Sequence, residues 1–246
     1  MRHPLFVDIF SIPTLEDLRY LNVHDFRARR LTQPEFEHMA KLCSAFWKHD
    51  GKPEHPHAEL SGGECSDGFI DVLRVLCHTN LCRIMALTLY QILNDEFQRF
   101  GRHWPEIDWV VGSDHAGAML AHDVASLLNA KFDFTEKGPN HTQVWKRFAI
   151  GPEETVLQVE ELVTTRQTLQ DVRHGLRAAH PQPVKFYPVA LTLVSRSNDH
   201  AIEDTAIISF ADYDIKKWKP EDCPLCQAGS KRLRPKQNWD ELTRQP

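Results

Sequence analysis

Val156-Leu157-Gln158-Val159-Glu160-Glu161-Leu162-Val163-Thr164-Thr165-Arg166-Gln167-Thr168 is the stretch that decides the fold. Val156, Leu157 and Val159 predict a buried strand running out of the turn residues Gly151 and Pro152. Glu160 and Glu161 stand side by side where that strand is expected to end. Past the hydroxyl-rich turn, Leu169, Val172, Leu176 and Ala179 recur at spacings of three, four and three, which predicts a helix. The first N–H groups of a helix lack intrahelical partners, and the helix dipole favours an anion there. Threonine hydroxyls add donors, and carboxylates accept hydrogen bonds from sugar hydroxyls. The pattern suits a phosphorylated sugar.

A second unit of the same kind lies upstream. Residues 107–112, IDWVVG, predict a short strand ending in a glycine; Ser113, Asp114, His115, Ala116 and Gly117 follow. Met119, Leu120, Val124, Leu127 and Leu128 then mark a helix. Residues 131–135, 184–194 and 206–210 read as further strands, with Pro188 marking an edge or a bulge. Strands alternating with helices predict a parallel sheet with right-handed crossovers, whose ligands bind beyond the carboxyl ends of the strands. The 113–117 and 160–168 segments lie at such ends, so they are expected to form one site. Toward the N-terminus, Phe36, Met39, Ala40, Cys43, Phe46 and Trp47 predict one helix face starting near Pro34, with Gly51 as its stop. The longest helical pattern covers residues 80–101, with Asn80 as candidate N-cap and Gly101 past its end.

The central stretch resembles the phosphoribosyl-diphosphate-binding motif of the type I phosphoribosyltransferases: two acids, two small residues, then T-T-G-x-T. Glu161 stands where the family usually has Asp, and Arg166 where it has Gly. Residues 57–71, HAELSGGECSDGFID, resemble the hood segment of orotate phosphoribosyltransferases through Leu60, Ser61, Gly62, Ser66, Asp67 and Phe69. The tail Pro220-Glu221-Asp222-Cys223-Pro224-Leu225-Cys226, continued by Gly229, Pro235 and Lys236, is similar to that of some of these enzymes.

The resemblance spans about residues 56–236. It implies an α/β phosphoribosyltransferase-type core with a mainly parallel sheet flanked by helices, and an N-terminal helical and hood region. The chain would divide into an extension and hood (1–79), a core (80–212) and a tail (213–246). By the same resemblance Glu160 and Glu161 orient the ribose, and Thr164, Thr165, Arg166, Gln167 and Thr168 hold the 5-phosphate. Ser113, Asp114, His115, Ala116 and Gly117 form the pyrophosphate loop, where small residues let backbone amides approach the ligand. Ser61, Gly62 and Phe69 contact the base, and Lys137 and His141 are the catalytic candidates. Glu136 replaces the arginine that begins the family's mobile loop.

The implied activity is transfer of a 5-phosphoribosyl group between phosphoribosyl diphosphate and a pyrimidine-type base, with Mg²⁺ on the diphosphate. The departures at Glu136, Glu161 and Arg166 leave a second reading, a non-catalytic regulator that binds a nucleotide or phosphoribosyl diphosphate on the same fold. The expected partners are that small molecule and a second copy of the chain in a homodimer.

Composition fits a soluble globular chain: 246 residues, 41% hydrophobic and 26% charged. A net charge of -5 argues against a broad nucleic-acid surface, and no apolar run reaches the ~20 residues that span a bilayer. Six cysteines without a leader point to a reducing cytoplasmic setting. Cys223 and Cys226 supply half of a zinc site, but nothing in the sequence brings Cys77, His78 or Cys82 near them. Zinc is therefore not expected.

Overall fold

A computed structural model describes residues 7–99 and 106–244. Five strands form a parallel sheet in the spatial order Lys131–Phe134, Trp109–Gly112, Thr155–Val163, Val189–Ser195, Thr205–Asp212. The short strand Ala201–Ile202 closes one edge antiparallel, and Lys185–Phe186 pairs with the start of Thr155–Val163. Pro188 falls at the break between Lys185–Phe186 and Val189–Ser195, as a residue without an N–H should. In chain order the five strands run 2-1-3-4-5, so the order reverses between Trp109–Gly112 and Thr155–Val163. A crevice for ligand opens at such a reversal.

Thr155–Val163 is the middle strand. Val156, Leu157, Gln158, Val159 and Glu160 are buried in succession, as expected of a parallel strand covered on both faces. Alternate residues feed different cores. Val110, Leu157 and Val159 pack with the helices Thr79–Arg99 and Ala116–Leu128, while Trp109, Val111 and Val156 pack with Trp145 and with Val172 and Leu176 of helix Gln167–Ala178.

The N-terminal region departs from the expected long helix. Thr32 and Glu35 form a capping box, and the helix they start, Gln33–Leu42, ends early. Ser44 adopts a positive φ of 54° and turns the chain. Phe46–Lys48 is then a strand, antiparallel to Gly68–Ile70, so Phe46 and Trp47 leave the helix face predicted for them. Asn80 is not a cap either. The long helix begins at Thr79, and the Asn80 amide donates to the carbonyls of Leu18 and Leu21 at 2.9 and 3.1 Å. The predicted stop at Gly101 lies outside the described residues.

The hood segment folds into strands. His57–Glu59 and Cys65–Ser66 form a hairpin that joins a four-stranded sheet ordered Lys217–Trp218, Cys65–Ser66, His57–Glu59, Arg232–Leu233. Two of those strands come from the C-terminal tail, so hood and tail share one sheet. No helix among the described residues is long and apolar enough to cross a membrane.

Candidate active site

The two segments singled out in the sequence meet at the reversal of strand order. Gly112 ends its strand against the start of the next helix, so tightly that a Cβ there would lie 2.4 Å from the Gly117 carbonyl oxygen. A Cβ on Gly117 would lie 2.7 Å from Ser113 Oγ and 2.9 Å from Glu160 Oε2. Glycine at both positions is what lets the turn close over the acidic pair. Ser113 then donates twice to Glu160, from its backbone N–H to Oε1 at 3.1 Å and from Oγ to Oε2 at 2.7 Å.

Glu160 is 2% exposed. Burial first, then the charge of Glu161, pushes its pKa up to about 8 against the pull of the Ser113 hydrogen bonds. Burial also raises Glu161; its backbone N–H opposes the rise, while Asp114 and Asp71 add to it. Glu161 Oε2 is buried without a hydrogen-bond partner. Such an atom is costly unless a ligand or cation meets it.

Asp114 gathers the cationic and polar groups of the cleft. Lys137 Nζ lies 3.4 Å from its Oδ2, the His115 ring Nδ1 is 2.7 Å from the same oxygen, and Gln143 Nε2 donates to Oδ1 at 3.3 Å. Burial works to raise this carboxyl, but Gln143, His115 and the Lys137 charge outweigh it and hold it below the ordinary range. Gln143 is fixed from behind, since Thr135 Oγ1 donates to its Oε1 at 2.8 Å. His115 itself has φ 62° and is exposed, and Ala116 starts the helix.

A cleft of about 440 Å³ joins these groups: Ser113, Asp114, His115, Ala116, Lys137, Gln143, Glu160, Glu161 and Thr168 on the core side, with Ile70, Asp71, Val72 and Leu73 opposite. Next to it, a small recess is lined by Glu160 and by Thr164, Thr165, Arg166, Gln167 and Thr168. The helix Gln167–Ala178 that starts there has no side-chain cap, which leaves its first N–H groups for a ligand. Arg166 takes the left-handed conformation, φ 64° and ψ 0°. Its guanidinium turns outward, donating to the Ala201 carbonyl at 2.8 Å and pairing with Asp199 at 2.6 Å.

Three predicted residues stand apart from the cleft. Ser61 and Gly62 sit at the exposed tip of the hood hairpin, and Phe69 packs edge-on to Trp239 with centroids 6.0 Å apart. The hood reaches the cleft instead through residues 70–73. His141 belongs to the turn Pro139–His141, but its side chain lies outside the described residues. Glu136 pairs with Lys146 at 2.6 Å and with Arg147. Sequence reasoning missed Asp71 and Gln143. Asp71 closes the quoted hood segment and was within reach, whereas Gln143 carries no motif.

No family model matches the chain. It is 26% identical over 179 residues to the orotate phosphoribosyltransferase of Heliobacterium modesticaldum, covering 73% of this chain and 88% of that protein. It is 27% identical over 179 residues to the orotate phosphoribosyltransferase of Caldanaerobacter subterraneus subsp. tengcongensis, covering 73% and 87%. A crystal structure of orotate phosphoribosyltransferase from Aeropyrum pernix matches 71% of this chain and 92% of its own at 20% identity, with a TM-score of 0.49. The sequence relatives of this chain are thus orotate phosphoribosyltransferases, in keeping with the type I phosphoribosyltransferase motif that its central strand and turn resemble.

Proposed function

We propose that the chain transfers a 5-phosphoribosyl group between phosphoribosyl diphosphate and a pyrimidine-type base. The observation that carries this reading is the meeting of the 113–117 turn, Lys137 and the Glu160–Glu161 pair in one cleft beside an uncapped helix start. The bond from the sugar's anomeric carbon to pyrophosphate breaks as a base nitrogen bonds to that carbon. The carbon becomes oxocarbenium-like on the way, so the protein's task is to hold geometry and charge rather than supply a nucleophile.

Each group then has a role. The turn of Thr164, Thr165, Arg166, Gln167 and Thr168 takes the 5-phosphate on backbone N–H groups and threonine hydroxyls. Ala116 and Gly117 bring backbone to the pyrophosphate, with Ser113 holding the turn against Glu160, and Lys137 supplies the cation that stabilises the pyrophosphate on departure. Glu160 is already engaged with Ser113, so the unpartnered Glu161 Oε2 is the open acceptor for a ribose hydroxyl.

The donor set also fits Mg²⁺. Glu161 and Asp114 line one cleft, and Glu161 Oε2 is buried there without a partner, while both oxygens of Glu160 are held by Ser113. When bound, Mg²⁺ would neutralise diphosphate oxygens while keeping several waters, and Glu161 and Asp114 would hold it.

One observation favours the second reading, a regulator that binds the ligand without turnover. Glu136 stands where the family's loop has an arginine, and it engages Lys146 and Arg147, two cations close to the loop. Calorimetric titration with phosphoribosyl diphosphate and Mg²⁺, followed by a pyrophosphate-release assay across a panel of bases beginning with orotate, separates the two. Release with a pyrimidine-type base is expected. Binding without release from any base would leave the regulator, and no binding at all would sink both.

A further inference from the structure

The sheet shared by hood and tail holds four side chains that the cleft does not use. His57 and Cys65 lie on the two strands of the hood hairpin, where Cys65 pairs with Glu59 and Ser66 with Ala58. Cys223 and Cys226 come from the tail, around the single helical turn Pro224–Gln227. One ligand atom from each lies within 4.8 Å of the other three. Cys65 Sγ and Cys226 Sγ are 3.5 Å apart, Cys226 Sγ and His57 Nε2 3.4 Å, and Cys223 Sγ and His57 Nε2 3.7 Å. Zinc at about 2.3 Å from sulfur and about 2.0 Å from nitrogen needs tetrahedral edges of about 3.5–3.8 Å, so the separations match.

The histidine is also oriented as a ligand. Ser230 Oγ donates its one proton to the His55 carbonyl at 2.6 Å. It must therefore accept from His57 Nδ1, 2.8 Å away. The ring proton sits on Nδ1, and the Nε2 lone pair faces the sulfurs. On the tail, the Cys226 backbone N–H donates to Cys223 Sγ at 3.4 Å, a bond that a thiolate strengthens. His57, Cys65 and Cys223 are 0% exposed and Cys226 is partly buried, so the protein supplies all four ligands and shields three of them from solvent.

We propose that His57, Cys65, Cys223 and Cys226 bind one zinc ion as a closed structural site that clamps the tail to the hood. The expectation against zinc rested on a single Cys-x-x-Cys pair. The structure supplies the other half, from residues 161 and 166 positions earlier in the chain. A buried tetrahedral set of three sulfurs and one imidazole selects zinc among the common divalent ions. Binding sends the three thiol protons to solvent as thiolates form. The clamp sits directly before the strand Gly68–Ile70, which leads into the cleft wall of residues 70–73. Zinc would therefore steady that wall without entering the chemistry.

The test uses the full chain, purified under reducing conditions without a metal-affinity step. Elemental analysis is expected to find one zinc per chain. Replacement by cobalt(II) should give the visible bands of a tetrahedral thiolate site. Cys226→Ser should lose both signals. Ser230→Ala keeps all four ligands but frees the ring, and should weaken zinc about 10–100-fold in a chelator competition. Cys77→Ser, exposed and outside the group, should retain full zinc. A folded chain with neither zinc nor the cobalt spectrum would overturn the proposal. So would a Cys65–Cys226 disulfide in protein purified under reducing conditions, full zinc in Cys226→Ser, or loss of zinc in Cys77→Ser. Unchanged zinc affinity in Ser230→Ala would overturn the role given to the His57 tautomer.

Discussion

Arg166 places a long charged side chain where the backbone favours glycine, at φ 64°. A non-glycine residue held there costs on the order of 1–3 kcal/mol. The contacts to Ala201 and Asp199 offset part of that, but the Asp199 side chain is 64% exposed, so the ion pair contributes about 0–1 kcal/mol. Arg166→Gly exchanges strain for a weak tether and should leave stability within about 1 kcal/mol of the parent. Ligand binding is the sharper measurement. The sequence suggested a guanidinium gripping phosphate, yet in the structure it faces Asp199. If the turn binds through backbone and threonines, Arg166→Gly should keep phosphoribosyl diphosphate affinity within roughly threefold, under about 0.7 kcal/mol, with the same salt dependence. A tenfold loss with a shallower salt slope would show that the guanidinium leaves Asp199 for the phosphate.

At the scale of elements, the helix that carries the phosphate turn is held by a buried arginine. Arg173 donates from Nε to Gln158 Oε1 at 2.5 Å, and from its terminal nitrogens to Glu203 at 2.9 Å and Thr205 Oγ1 at 2.7 Å. Its guanidinium also lies 4.3 Å from the centroid of the Phe186 ring. One side chain thus ties helix Gln167–Ala178 to the middle strand and to the hairpin beyond it. Arg173→Ala should cost on the order of 3 kcal/mol in urea unfolding, because Gln158 loses a buried partner. Arg173→Lys should recover little, since an ammonium cannot span three acceptors in a plane. A loss below about 1 kcal/mol in the alanine variant would contradict this account. None of this network was readable in the sequence, where Arg173 is one polar residue on an amphipathic helix. What was readable obeys a short period: the parallel strands, the helices after each loop, and the turn between Glu161 and Leu169. Phe46–Lys48, His57–Glu59 and Cys65–Ser66 are too short to show alternation. Their partners are also remote in the chain, as with Lys217 against Ser66 and Arg232 against His57. The same distance hid the zinc ligands. The short-range signal that was overread, the apolar face running through Phe46 and Trp47, failed because Ser44 turns the chain and Gly68–Ile70 offers a strand partner.

For the molecule as a whole, the cleft sets a tension between folding and ligand binding. The fold buries a carboxyl pair between the central sheet and the hood and provides little positive charge to neutralise it. Glu160 keeps its proton in the folded chain up to about pH 8, while the unfolded chain releases it near the ordinary 4.5. Across that window the folded state binds more protons, so stability is fully present below 4.5 and falls as pH rises toward 8. Glu154 and Glu203, both lowered to about 2, act in the opposite sense but only below 4.5. The cleanest interval is therefore pH 6.5 to 8, above the ordinary histidine range of about 6.5. Over it the fold should lose at most about 2 kcal/mol, since a tenfold difference in proton affinity between the folded and unfolded chain is worth about 1.4 kcal/mol. In a thermal melt that corresponds to roughly 4–8 °C for a chain of this size. Glu160→Gln can still accept from the Ser113 N–H and carries no charge, so its melting temperature should fall less than the parent's over the interval, with Glu161 left as the raised carboxyl. Mg²⁺ with phosphoribosyl diphosphate should flatten the parent's curve as well, by giving the ionised pair a partner. A parent that is flat or rising between pH 6.5 and 8, or a slope in Glu160→Gln as steep as the parent's, would remove Glu160 as the buried acid of the cleft.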